Sequence, residues 1–136
     1  MRSLSISNTD YRFACFSPTT SKFESETACG LQTYISLTSV RDYEQFDPVH
    51  LGVSLLWSAK HLYTTAKNDI GFGNTTQSFH WVFNGSQKTV YDIDVLAGGS
   101  LIREGIESGL SPDEIRSLWH DELREFKRKR KSYLLY

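Results

Sequence analysis

Ser111-Pro112-Asp113-Glu114-Ile115-Arg116-Ser117-Leu118-Trp119-His120-Asp121-Glu122-Leu123-Arg124-Glu125-Phe126 carries the clearest structural instruction in this chain. It opens as a capping box: the Ser111 hydroxyl can accept from the amide three residues on, while Glu114 reaches back to the Ser111 amide. Pro112 stands at the first helical position, where its missing N–H costs nothing. Ile115, Leu118, Trp119, Leu123 and Phe126 then recur at helical spacing, which predicts one helix with an apolar stripe turned to a core. Upstream, Ser100 to Ser108 reads as a shorter helix, closed by Gly109 as a C-terminal cap. Downstream, the apolar ending Tyr133-Leu134-Leu135-Tyr136 is expected to dock into the body of the protein.

The first half mixes strand and helix signals. Arg12 to Phe16 is a short aromatic-rich strand, stopped by Ser17-Pro18. Residues 18–28 read as a polar loop. Leu31 to Leu37 alternates, with Leu31, Thr33, Ile35 and Leu37 on one side, and is the best strand by period and composition. Asp47-Pro48 opens a helix that runs to about Thr65, with Leu55, Leu56, Ala59, Leu62 and Tyr63 at helical spacing. Residues 68–78 form a Gly/Asn/Thr-rich loop. Phe79 to Phe83, Asn84-Gly85 and Gln87 to Tyr91 read as a hairpin about a tight turn. The expected fold is α+β with α/β-like character: a small β-sheet packed with three or four helices and a helical C-terminus.

Composition limits the function classes. The 136 residues suffice for one domain, and 39% hydrophobic with 13% aromatic residues exclude a disordered chain. Fifteen basic residues against sixteen acidic ones give a net charge of -1, which argues against nucleic-acid binding through global positive charge. No apolar run approaches the ~20 residues of a membrane span, and no secretory signal precedes the first strand. A cytoplasmic location is therefore the default expectation, and the sequons at Asn74 and Asn84 are read as coincidence.

Chemistry is sparsely marked. His50, His61, His80 and His120 are scattered, and no cysteine stands at zinc-ligand spacing. Cys15 and Cys29 could pair, but two cysteines do not make a disulfide framework. Cys29 beside Gly30 could be a nucleophile; a thiol without catalytic role is the better reading. The run Lys127-Arg128-Lys129-Arg130-Lys131 could bind a polyanion; complementing a helix C-terminus explains it more simply. Sixteen carboxylates are present, yet no pair is singled out for acid–base work.

Five blocks in order go further. Phe16-Ser17-Pro18-Thr19-Thr20-Ser21-Lys22-Phe23, Cys29-Gly30-Leu31-Gln32 and Asp47-Pro48-Val49 with Leu51-Gly52-Val53 are three of them. Ile93-Asp94-Val95-Leu96-Ala97-Gly98 with Leu101-Ile102-Arg103, Ile106-Glu107 and Gly109 is the fourth. The ending from Trp119 through Leu123, Phe126 and Arg130 to Tyr136 is the fifth. Together they resemble the C-terminal domain of the bacterial exo-β-N-acetylmuramidase family, over residues 11–136, with residues 1–10 as an N-terminal extension.

The resemblance implies a glycosidase that releases terminal N-acetylmuramic acid from peptidoglycan fragments without metal or cofactor. It also implies that the family's N-terminal Rossmann-like domain, which supplies the main catalytic carboxylate, is absent from this chain. The catalytic residues are therefore unassigned, and the chain alone is expected to be inactive. Family members are often exported. The expected partners are a peptidoglycan-derived sugar or muropeptide and such an N-terminal domain, with neither nucleic acid nor membrane. Thr19, Ser21 and Lys22, on a polar loop at a strand end, are the candidate substrate-binding residues. Arg103 joins them, because a guanidinium can grip a lactyl carboxylate bidentately; a salt bridge to helix acids is the plainer use of it. The alternative function is a non-catalytic carbohydrate-binding or protein-interaction domain derived from that family.

Overall fold

The computed structural model describes residues 6–20, 23–65, 79–85 and 89–135. The chain divides into two compact units that meet in sequence at Asp47 and Pro48. The elements are β1 (Thr9–Phe16), β2 (Ala28–Ile35), α1 (Val40–Gln45), α2 (Pro48–Thr65), α3 (Asp92–Ala97), α4 (Leu101–Glu107), α5 (Pro112–Ser117), α6 (His120–Arg130) and a closing 3₁₀ turn, Lys131–Tyr133. An α+β architecture with a small sheet and a helical C-terminus is what the sequence leads one to expect. The helices are more numerous than the three or four expected, while α2 runs to Thr65 as predicted.

The first unit is an antiparallel hairpin followed by α1. Its register pairs Thr9 with Ile35, Phe13 with Leu31 and Phe16 with Ala28. The second strand therefore starts three residues earlier than the Leu31–Leu37 alternation predicts and stops at Ile35. Cys15 and Cys29 fall directly opposite each other, their Cα atoms 4.0 Å apart, and form a disulfide. Of the readings open for Cys29, pairing with Cys15 is the one that holds: it is neither a nucleophile nor an idle thiol. Antiparallel pairing puts directly opposed side chains on the same face, so register alone brings the two sulfurs into reach. Ser39 opens α1 with a capping box, its hydroxyl accepting from the Asp42 amide while the Asp42 carboxylate accepts from the Ser39 amide at 2.8 Å.

In the second unit, α2 packs on α5, α5 on α4, and α4 on α3. Val53, Ile106 and Ile115 are buried at the centre, ringed by Leu56, Trp57, Trp81, Ile102, Leu110 and Trp119. Ile115 has no accessible surface, a burial that contributes about 1.5–3 kcal/mol. Gly105 permits it: a Cβ there would stand 2.9 Å from Ile115 Cγ1. Ser54 is also buried, its hydroxyl satisfied by donating to the His50 carbonyl at 2.7 Å. The Ser111 capping box forms as the sequence requires, and Gly109 takes the left-handed conformation just past α4.

Three sequence expectations fail here. The helix from Pro112 breaks at Leu118 and Trp119, whose backbone leaves the ladder before α6 begins. A stripe computed on one unbroken helix loses its register across such a break. Ile115 and Trp119 reach the core, whereas Leu118, Leu123 and Phe126 are exposed. The apolar ending is not docked either: Tyr133 is 82% and Leu135 96% exposed. Finally, the segment about Asn84-Gly85 is a pinch and not a two-stranded hairpin among the described residues. A single bridge joins Phe83 to Tyr91, with Asn84 N–H donating to the Val90 carbonyl at 2.7 Å. The loop expected at 68–78 lies outside the described residues.

Two measurements test this fold. Replacing Cys29→Ser opens a covalent loop spanning a sequence separation of 14 and is expected to destabilise the hairpin by about 3 kcal/mol. Amide exchange should accelerate in β1 and β2 and stay unchanged in α4 and α5. The second test concerns Glu114. Hydrogen bonds from the Ser111 amide and hydroxyl hold its carboxyl below the ordinary value of 4.5. A depressed acid stabilises the fold above its unfolded value and loses that contribution as pH falls through the folded one. Ser111→Ala should therefore lower the melting temperature at neutral pH, and the gap to wild type should narrow on acidification below the carboxylate range.

Candidate functional site

The densest polar constellation is built where α3 meets α4. Asp94 lies in the first turn of α3, and Gly98, at φ 76°, ends that helix in the left-handed conformation. The chain then turns into α4 and delivers Arg103 against Asp94. Arg103 Nε lies 3.0 Å from both Asp94 carboxylate oxygens, and Nη2 is 2.9 Å from Oδ2. Nη1 donates to Glu107 Oε2 at 3.1 Å, one helical turn on, and Nη2 lies 3.5 Å from Glu104 Oε1. The guanidinium also stacks over the Tyr91 ring at 4.6 Å, and Tyr91 stacks in turn on Phe83 at 4.4 Å. Arg103 and Asp94 side chains are 13% and 14% exposed.

This geometry fits the plainer use of Arg103, a salt bridge to helix acids. Its hydrogen bond with Asp94 raises the guanidinium's pKa above an already high ordinary value, and Glu107 and Glu104 add to the effect. One cation faces three carboxylates, so an incoming acid would compete with three anions already in place. The arrangement ties α3 to α4 and aims the start of α4. Sequence reading marked Arg103 and quoted Asp94 and Glu107 within one motif. A salt bridge to helix acids is the expected plainer use, but the sequence names neither Asp94 nor the Tyr91 ring as partners; the nine-residue spacing from Asp94 to Arg103 follows no helical period because a turn intervenes.

The remaining candidates sit elsewhere. Thr19 is exposed on the loop after β1, in the first unit, whereas Arg103 belongs to the second. Ser21 and Lys22 lie outside the described residues. The loop's ends are held by the disulfide and by a backbone bond from Ser25 N–H to the Pro18 carbonyl at 3.0 Å. Phe23 and Ser25 adopt positive φ angles of 60° and 63°, which non-glycine residues take up only where the surroundings hold them.

The face of α4 that carries Leu101, Glu104, Gly105 and Ser108 lines an open concavity of about 530 Å³ together with Ser100, Leu110 and Leu118. It combines hydroxyls, one exposed carboxylate and leucine side chains. Such a lining can accept hydroxyl donors while covering apolar ring faces. His50 Nε2 lies 3.6 Å from Asp113 Oδ1, linking α2 to α5. Among the described residues, no three of His, Cys, Asp and Glu are grouped to hold a metal ion, and no helix is long and apolar enough to cross a membrane.

A family model described as the C-terminal part of the exo-beta-N-acetylmuramidase NamZ matches residues 1–136. The chain belongs to that family. It is 29% identical over 136 residues to the peptidoglycan beta-N-acetylmuramidase NamZ of Bacillus subtilis strain 168. That match covers the whole of this chain and 27% of the relative. No solved structure matches the chain significantly. Family membership gives the Asp94–Arg103–Glu107 triad a context. These residues occupy the motif positions on which the resemblance rested, and in this structure they hold two family helices together.

The triad is testable by rank order. Arg103→Lys keeps a charge but loses the planar fork that serves Asp94 and Glu107 together. Arg103→Ala removes the cation and strands a nearly buried Asp94 carboxylate. Melting temperature should fall in the order wild type, Arg103→Lys, Arg103→Ala; equal stability of all three would show the tie to be ornamental.

Proposed function

We propose that this chain is the C-terminal part of a peptidoglycan β-N-acetylmuramidase that releases terminal N-acetylmuramic acid from peptidoglycan fragments, and that it does not turn over alone. The observation that carries the reading is the family match along the entire length. Two considerations support the inactivity. Glycoside hydrolysis needs a positioned acid and a second carboxylate across the scissile bond, roughly 5–9.5 Å apart. The carboxylates gathered around Arg103 are engaged with its guanidinium. The relative is also much longer than this chain, which leaves room for a preceding part that supplies the remaining machinery.

In this reading, Thr19 with Ser21 and Lys22 contributes polar groups toward the sugar, and Arg103 is a positioning residue that fixes α4. A second reading, a carbohydrate-binding part without catalysis, is favoured by the mixed lining of the concavity beside α4. Both readings use the same substrate class.

Assay of the purified chain on a chromogenic N-acetylmuraminide should show no turnover. Addition of the N-terminal part of the B. subtilis relative should restore it. Turnover by the chain alone would overturn the inactivity. Calorimetric binding of muropeptides without turnover in the mixture would select the second reading, and neither binding nor turnover would overturn both.

A further inference from the structure

The hairpin is two-faced in composition. Register places Tyr11, Phe13 and Cys15 of β1 with Leu31, Thr33, Ile35 and Cys29 of β2 on one face. The opposite face carries Asp10, Arg12, Gln32 and Tyr34, with Phe16 at its loop end. That polar face is internally satisfied: Arg12 Nε donates to Gln32 Oε1 at 2.7 Å, and the guanidinium lies 5.2 Å over the Tyr34 ring. Among the described residues the apolar face has no such closure, with Phe13 65% and Leu31 60% exposed.

None of the described residues up to Asp47 is buried. A two-stranded hairpin without a cover is marginal in water, and three strands or a packed partner are the usual remedy. The disulfide clips the strands together but covers neither Phe13 nor Leu31. One-sided antiparallel sheets put the apolar face inward and the polar face to solvent. A cluster of large apolar side chains left open on such a sheet marks an interaction surface.

The longer relative points to the occupant. The match spans 27% of that protein, and the family model is that of a C-terminal part, so the remainder lies ahead of the counterpart of β1. β1 is the first described element of the matched part, so its hairpin follows that remainder most directly along the chain.

We propose that the apolar face of β1–β2, centred on Phe13 and Leu31, is the docking surface for the folded N-terminal part found in the longer relative. The proposal rests on the functional reading above. It adds the surface on which the two parts assemble.

The photo-crosslinking amino acid p-benzoylphenylalanine is placed at position 13, or at position 32 on the opposite face. Each full-length chain is irradiated with the N-terminal part of the B. subtilis relative. Cross-links should form from position 13 and not from position 32. Leu31→Ser should weaken the complex roughly tenfold, as loss of a central apolar anchor does, whereas Gln32→Ala should leave it unchanged. Mass analysis of the Cys15–Cys29 bridge and the circular dichroism spectrum verify that each variant is folded. Equal labelling from both faces, labelling of a second copy of this chain, absence of labelling or an unweakened Leu31→Ser complex would each overturn the proposal. Hydrolysis is followed in the same mixtures. Restored hydrolysis without face-selective labelling overturns the docking surface and leaves the function standing. Face-selective labelling without hydrolysis supports the surface and counts against the catalytic reading.

Discussion

Ile115 lies with no exposed surface against a stretch of α4 backbone that carries no side chain, because residue 105 is glycine. The second unit is organised around that contact. Its buried centre is small, so α4 and α5 must approach closely to seal it, and a methyl group at position 105 would fall 2.9 Å from Ile115. Glycine in a helix interior costs about 1 kcal/mol relative to alanine. Here the cost is offset by the approach that lets Ile106, Ile115 and Val53 exclude water together. The Ser111 capping box starts α5 at the position that delivers Ile115 to this contact.

Around this core the polar residues act mainly as ties. Arg103 satisfies Asp94, Glu107 and the Tyr91 ring at once, which a lysine could not do from a single point charge. Charged residues of α6 are arranged differently. Arg128 pairs with Glu125 one turn away on the exposed surface, and the basic last turn complements the helix dipole. Exposed pairs of that kind contribute little to stability. The contrast separates the motif residues that hold helices together from the exposed charge run at the end of α6.

Much of this is written locally and was readable as such. A capping box needs only residues three apart, so Ser111 and Glu114 announced α5, and Asp47-Pro48 announced α2. The signal Ser39-x-x-Asp42 has the same form and opens α1. Gly109 past α4 was likewise a local matter of positive φ. The candidate site was less readable: Arg103 was marked, but its partners were not assembled. Asp94 and Tyr91 reach it across a turn at Gly98, and no periodicity reports a contact made across a turn.

Composition and local pattern thus determined the α+β class, the starts of α2 and α5, the presence of two early strands and, through five ordered motifs, the family. Tertiary structure decided the rest. Strand register made Cys15 and Cys29 a disulfide, since pairing opposes residues 14 apart that nothing local connects. The break at Leu118 and Trp119 turned a predicted stripe into one buried end and one exposed helix. Both outcomes depend on where a second segment lies in space, and a window read along one segment carries no information about that.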